Sequence, residues 1–379
     1  MNRWLVIAFV IFAPSVVLGA AADTTENNPT FYERESGDIV RFFYNDHYYL
    51  VDRDCEFKSI ERVGPYDFQR QVFTGAFSDF DNQGRLILEG SYVDGRKQGD
   101  FKAYHPNGQL KWQVSYIHGV PLGALNFYYP DGKPLLEVTY TSEGIRILNF
   151  WDRRGEQRVI DGNGRYEFSV AADGYNEFGY IRYARKGKVI NGTPHGNWTI
   201  KYIFADGKER SAGYEYYNKG RFLSGYESYT DVEFFDTPRY GLLPADFSIR
   251  ADSMIAKTCT IDDHTGFTGF LAEYLSDWFK GEVIDRVVPR LAGPIKIEFT
   301  VTVKSTGEPR GIKMKSSFDT KSYADLLREA LDGVSYWLPS YAAGQYIEDK
   351  LTVTMEAFPD VYGREMKFYE VSIKREKGR

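Results

Sequence analysis

Gly99-Asp-Phe-Lys-Ala-Tyr104-His-Pro-Asn-Gly108-Gln-Leu-Lys-Trp-Gln-Val-Ser-Tyr116-Ile-His-Gly119 is the stretch whose pattern sets the architecture. Leu110, Trp112, Val114 and Tyr116 alternate with Lys111, Gln113 and Ser115, the period of a strand with one buried face. Asp100 to Tyr104 is a shorter strand. His105-Pro-Asn-Gly108 between them reads as a hairpin turn, because Asn-Gly tolerates the positive φ angles of a tight turn. The unit recurs. Turn glycines stand at Gly84, Gly108 and Gly132, evenly spaced along the chain. Phe80, Tyr104 and Tyr128 lie four residues before them, and Tyr92, Tyr116 and Tyr140 eight residues after. A fixed period of this length marks a stacked array of small units. One hairpin is marginal alone, so neighbours must bury each other's faces. Such arrays scaffold and bind.

The pattern continues more loosely. Trp151 with Gly155 and Tyr183 with Gly187 keep the spacing of four, and Ile203 stands at the aromatic position before Gly207. The intervals from Gly132 to Gly155, Gly187 and Gly207 are unequal, the middle one longest, and Asn163, His195 and Glu215 replace the tyrosine. These units read as decayed or carrying insertions. Gly196-Asn-Trp198 echoes Gly99-Asp-Phe101. The array is expected over residues 73–228, preceded over 23–72 by a polar leader and an N-terminal β cap. Gly99, Phe101, Tyr104, Asn107, Gly108, Tyr116 and Gly119, repeated as Gly123, Tyr128, Asp131, Gly132 and Tyr140, resemble the bacterial variant of the membrane occupation and recognition nexus (MORN) repeat. That resemblance implies a β-hairpin meander and a scaffold with varied partners. It implies no activity.

Residues 229–262 carry turn signals and no clean period, and are expected as a linker. Phe267, Phe270, Leu271, Tyr274, Leu275 and Phe279 recur at helical spacing. Ile295, Ile297, Phe299, Val301 and Val303 form a half-buried strand, and Ile312 and Met314 start a second. Thr320 caps a helix with Tyr323, Leu326, Leu327, Ala330, Leu331 and Val334 on its apolar face. Leu351, Val353, Met355 and Ala357 form a third strand. Residues 263–379 are thus expected as a small helix-strand-strand-helix-strand module of α+β class, beside a mainly β array. The tail from Arg364 reads as a solvated terminus. The run from Ile295 to Phe358, with its Gly307-Glu-Pro-Arg-Gly311 turn, Trp337-Leu-Pro339 and Gly344-Gln-Tyr-Ile347, is similar to the C-terminal domain of TonB-type energy transducers. That resemblance implies an interaction module. It also raises an alternative role as an energy transducer or transport accessory.

At the N-terminus Arg3 precedes an apolar run from Trp4 to Val17, and then Gly19-Ala-Ala-Ala22. A spanning helix needs about 20 apolar residues, so residues 1–22 read as a cleavable signal peptide, with an uncleaved anchor as the alternative. After cleavage no spanning segment is expected. Together with the resemblances this places the chain in the periplasm or outer envelope of a Gram-negative bacterium. Export permits a disulfide between Cys55 and Cys259. Their distance in sequence leaves the pairing to the tertiary structure. Aromatic content of 16% favours strands, and a net charge of -6 gives no sign of a nucleic-acid partner.

None of the five histidines has metal-motif spacing, and there is no phosphate-binding glycine loop or serine elbow. His105 and His118 read as solvated turn residues, and Asp262-Asp263 as a helix start. No catalytic, cofactor or metal residue is assigned. Phe127 and Tyr129 share one strand face while Tyr128 takes the other, more aromatic surface than one core needs. A candidate binding surface is therefore drawn through Tyr104, Tyr128, Trp151 and Tyr183. Its expected occupant is a protein of the cell envelope, with a glycan as the alternative. The chain reads as a non-enzymatic binding scaffold, the other alternative being an enzyme acting on envelope glycans.

Overall fold

A computed structural model describes residues 29–142, 144–244, 246–281, 283, 294–315, 321–360 and 362–379. The signal peptide expected over 1–22 and the Thr320 helix cap lie outside the described residues.

From Tyr32–Arg34 to Val232–Phe234 the strands follow one another in a single antiparallel meander. The N-terminal strands Ile39–Tyr44 and Ile60–Asp67 join it directly, with Ile60 opposite Asp81. The meander turns in two ways. At Gly84, Gly108, Gly132, Gly155 and Gly207 the glycine N–H donates to the carbonyl three residues earlier, as from Gly108 to His105 at 2.8 Å. Only the glycine is left-handed there, at φ 81° for Gly108 and 82° for Gly132. A register shift accompanies the turn, between Ala103 and Tyr104 or Phe127 and Tyr128. At the opposite strand ends the turns are two-residue, and both residues are left-handed: Asp94-Gly95, His118-Gly119, Asn191-Gly192 and Lys219-Gly220. The positive φ read for the Asn107-Gly108 turn is thus taken by the glycine alone. A longer hairpin turn with a bulge needs one left-handed position, whereas a two-residue turn needs two.

One face of the sheet is an aromatic ladder. Phe73, Tyr92, Phe77, Phe101 and Tyr116 stand in successive contact, with ring centroids 5.0–5.6 Å apart along the chain of neighbours. Flat glycines make room for it. A Cβ on Gly90 would lie 2.7 Å from the Phe101 ring, and one on Gly187 would lie 2.2 Å from Trp198. This corrects the place of Gly187. It is a mid-strand glycine of Tyr180–Ile190, the counterpart of Gly90, and it is not a turn glycine. The echo of Gly99-Asp-Phe101 in Gly196-Asn-Trp198 holds: both glycines are left-handed and both rings are buried. Gly108→Val meets open space, so it should cost only backbone strain, about 1 kcal/mol. Gly187→Ala keeps an ordinary φ but strikes an indole, and should cost about 1–3 kcal/mol by overpacking. Urea midpoints rank the two, and the reverse order would refute this account.

The stretch expected as a linker lies over the ladder as a strap. Leu242, Leu243, Phe247 and Met254 pack against the array core. Tyr92 donates to Asp252 at 2.6 Å, and the buried Arg62 and Asp79 form a two-pronged pair at 2.7 and 2.9 Å beneath it. Cys55 and Cys259 are joined in a disulfide, with Cα atoms 5.6 Å apart, tying the strap's end to the N-terminal strands.

The C-terminal module is a four-stranded antiparallel sheet in the order Pro309–Met314, Ile295–Val303, Asp349–Asp360, Glu365–Arg375. Helices Phe267–Trp278 and Lys321–Asp332 bury Leu271, Leu275, Tyr323, Leu327 and Leu331 against it. Thr260 caps the short helix that carries Asp262 and Asp263 in its first turn. Two elements exceed the expected module: the hairpin Ser340–Ala342 with Gln345–Ile347, and the last strand. The tail from Arg364 is therefore a strand and not a solvated terminus. Its alternation runs through Met366 and Phe368, slips at the left-handed Glu370 (φ 53°) and resumes at Val371 and Ile373, which hides the period of two.

Among the described residues, array and module touch through Tyr175, through His264 and through an ion pair of Arg379 with Glu56. Tyr175, in the connection between Asn163–Ala171 and Tyr180–Ile190, packs its ring 4.8 Å from both Phe267 and Phe270. The interval from Gly155 to Gly187 is long because Gly187 is not the turn glycine: Gly179 (φ 72°), whose N–H donates to the Asn176 carbonyl at 3.2 Å, closes this turn at the regular spacing. His264 stacks on Phe57 at 4.1 Å. Burial, aided by His47 and Lys257 and opposed by Asp46 and Asp263, lowers the His264 pKa from 6.5. The folded state thus favours the neutral ring, so the unfolded chain binds more protons just below pH 6.5. Stability should be full above about pH 6.5 and fall as the pH drops toward the folded pKa. His264→Phe keeps the stack and should flatten this step in denaturant midpoints between pH 7.5 and 5.5.

Candidate functional site

The face opposite the ladder carries a straight polar row, one side chain per strand. Ser78, Glu89, Lys102, Gln113, Asn126, Glu137 and Asn149 are partnered in succession across seven strands. At about 4.8 Å per strand the row is about 29 Å long. Every member is half-buried. The row follows from the alternation: the residues that flank the ladder residues in sequence must point the other way.

Tyr104, Tyr128 and Trp151 border this row at every second strand, because each follows the last ladder residue before a turn. Tyr104 donates to Glu89 Oε1 at 2.6 Å, and Gln113 Nε2 donates to Tyr128 at 3.3 Å. Each tyrosine reaches 15 residues back, so the two contacts are repeat-equivalent. Half-burial, reinforced by the bond to Glu89, pushes the Tyr104 hydroxyl up to about 12. Further along, Asn149 Nδ2 donates to Glu137 at 2.7 Å and Gln157 Nε2 to Asn149 at 2.9 Å. The row is thus pre-ordered, with its polar groups held in fixed orientations.

Tyr183 does not join them. It shares a face with the buried Arg185, beneath the strap, where its hydroxyl accepts the Gly241 N–H at 3.2 Å and its ring meets Tyr240 at 5.2 Å. Burial raises its pKa. The reason is Gly187: once that glycine is mid-strand, the residue four before it falls on the ladder side.

The polar row itself was not read from the sequence, although Lys102, Gln113 and Asn126 were visible as the polar members of alternating strands. The buried carboxylates have structural partners. Asp79 pairs with Arg62, Glu215 with Arg185, and Asp262 with Arg375, while Glu227 accepts from Tyr202 and Tyr240. Among the described residues no group of three His, Cys, Asp or Glu side chains is placed to hold a metal ion, and no helix is long and apolar enough to cross a membrane.

No curated protein matches the chain. Residues 97–118 and 122–141, the two hairpin units that carry Tyr104 and Tyr128, match the model of the MORN repeat variant, and repeats of that kind point to a binding or scaffold role.

Proposed function

We propose that this chain is an exported scaffold of the bacterial cell envelope that binds a protein partner along the polar row and its bordering aromatics. The observation that carries the proposal is the row itself: side chains in register on a rigid sheet, interspersed with Tyr104, Tyr128 and Trp151. Pre-ordered aromatic and polar groups bind with little loss of side-chain freedom. The apolar run Trp4 to Val17 followed by Gly19-Ala-Ala-Ala22 supports export. The strand, strand, helix, strand order after Ile295 supports reading residues 263–379 as a TonB-C-terminal-like interaction module joined to the array by the strap.

Two measurements test it. Mass spectrometry of the exported protein should find a new N-terminus between Ala20 and Asp23, and an intact Met1 would favour the transducer reading. The mature chain should capture a partner from envelope extract. Lys102→Glu combined with Gln113→Arg and Asn126→Arg should reduce that capture at least tenfold without lowering the melting temperature. Undiminished capture would remove the row from the binding site.

A further inference from the structure

A second feature lies beyond the Asn149 end of the row. A groove of about 910 Å³ is bordered by the turn 152–158 and by the strands Asn163–Ala171, Tyr180–Ile190 and Thr193–Phe204. Its volume is that of a ligand site. Seven Arg and Lys side chains line it against three Asp and Glu, in a chain whose net charge is -6.

The charges resolve pair by pair. Arg158 pairs with Asp152, Lys186 with Glu167 and Lys201 with Glu209. Arg185 is buried and bound to Glu215. Three guanidiniums remain. Arg182 donates to the Ser169 hydroxyl and carbonyl, at 2.9 and 3.0 Å, and meets no carboxylate among the described residues. Arg153 and Arg154 are exposed and likewise have no carboxylate partner among the described residues. The turn holds this pair in place: Asp152 Oδ1 accepts the Arg154 and Glu156 N–H groups at 2.9 and 3.1 Å. Beside these cations lie the half-buried ring of Tyr129 and the hydroxyls of Ser169 and Thr199.

We infer that this groove binds an acidic oligosaccharide, a run of sugar rings carrying carboxylates. The forked guanidiniums of Arg153, Arg154 and Arg182 match carboxylates two bonds at a time. Tyr129 offers flat apolar surface to a sugar ring, and Ser169 and Thr199 offer partners to sugar hydroxyls. The groove crosses several strands, which suits a segment of a chain. The site shares no residue with the polar row, so it stands or falls separately from the scaffold reading.

The test is calorimetric titration of the full chain with oligogalacturonate. Controls are a maltooligosaccharide of equal length, polyglutamate, and vesicles of phosphatidylglycerol. Binding of oligogalacturonate alone is expected, weakening as salt screens the charges. Combining Arg153→Gln, Arg154→Gln and Arg182→Gln should weaken it at least tenfold with an unchanged melting temperature, since none of the three has a carboxylate partner to lose. Equal binding of the neutral sugar, of polyglutamate or of the vesicles would overturn the assignment. So would no binding at all, or undiminished binding by the triple variant.

Discussion

Replacing Arg185 with methionine is expected to destabilise the protein by about 3–5 kcal/mol, because it leaves Glu215 charged and unpaired in the core. Both side chains are fully buried, and they pair directly. Arg185 also donates to the carbonyls of Tyr240 and Gly241, each at 2.7 Å, while Glu215 accepts the Arg239 N–H at 2.7 Å and the Tyr217 hydroxyl at 2.7 Å. The pair therefore pins the strap to the ladder face as well as neutralising itself. Loss of Arg185 should speed amide exchange at Arg239 and Gly241 before it affects the C-terminal module. The double variant Arg185→Met with Glu215→Leu should recover much of the lost stability, since an apolar pair of similar size removes the orphaned charge. Urea unfolding of the three variants decides it. An unchanged midpoint for Arg185→Met alone would show that water or another group reaches Glu215.

Trp337→Ala should cost about 3–5 kcal/mol, the usual loss on truncating a buried aromatic. Trp337 is 0% exposed, with Phe267 at 5.4 Å and Phe299 at 6.2 Å, so its ring joins the first helix to the central strand. Its backbone N–H donates to the Gly307 carbonyl at 2.8 Å, which ties the stretch after helix Lys321–Asp332 to the turn before it. The indole N–H has no acceptor among the described residues. Trp337→Phe should therefore cost distinctly less than the alanine variant, because it keeps most of the ring and removes an unpaired buried donor. An alanine variant with an unchanged denaturant midpoint would move Trp337 from the core to a binding surface.

The hairpin units around Gly108 and Gly132 were legible because two local signals coincide there: strand alternation and a turn glycine at a fixed interval. Both depend on residues close in sequence. The unit around Tyr183 was misplaced because spacing cannot distinguish a glycine that bends the chain from one that yields to a ring on the next strand. Gly187 is of the second kind, and only Trp198 lying against it says so. The final strand was missed for a related reason. A bulge at Glu370 reverses the alternation midway, so the two halves do not add to one pattern.

The sequence by itself determined the meander, the face that each array residue takes around Gly108 and Gly132, and the α+β class of the C-terminal module, because alternation and turn chemistry are properties of neighbouring residues. The tertiary structure alone decided what meets across long separations. The disulfide spans 204 residues, Tyr92 finds Asp252 across 160, and Asp262 finds Arg375 across 113. It also decided which cations of the groove are paired and which are left over. No local pattern encodes such contacts, since each depends on how the twist of many strands accumulates before two distant segments come within reach.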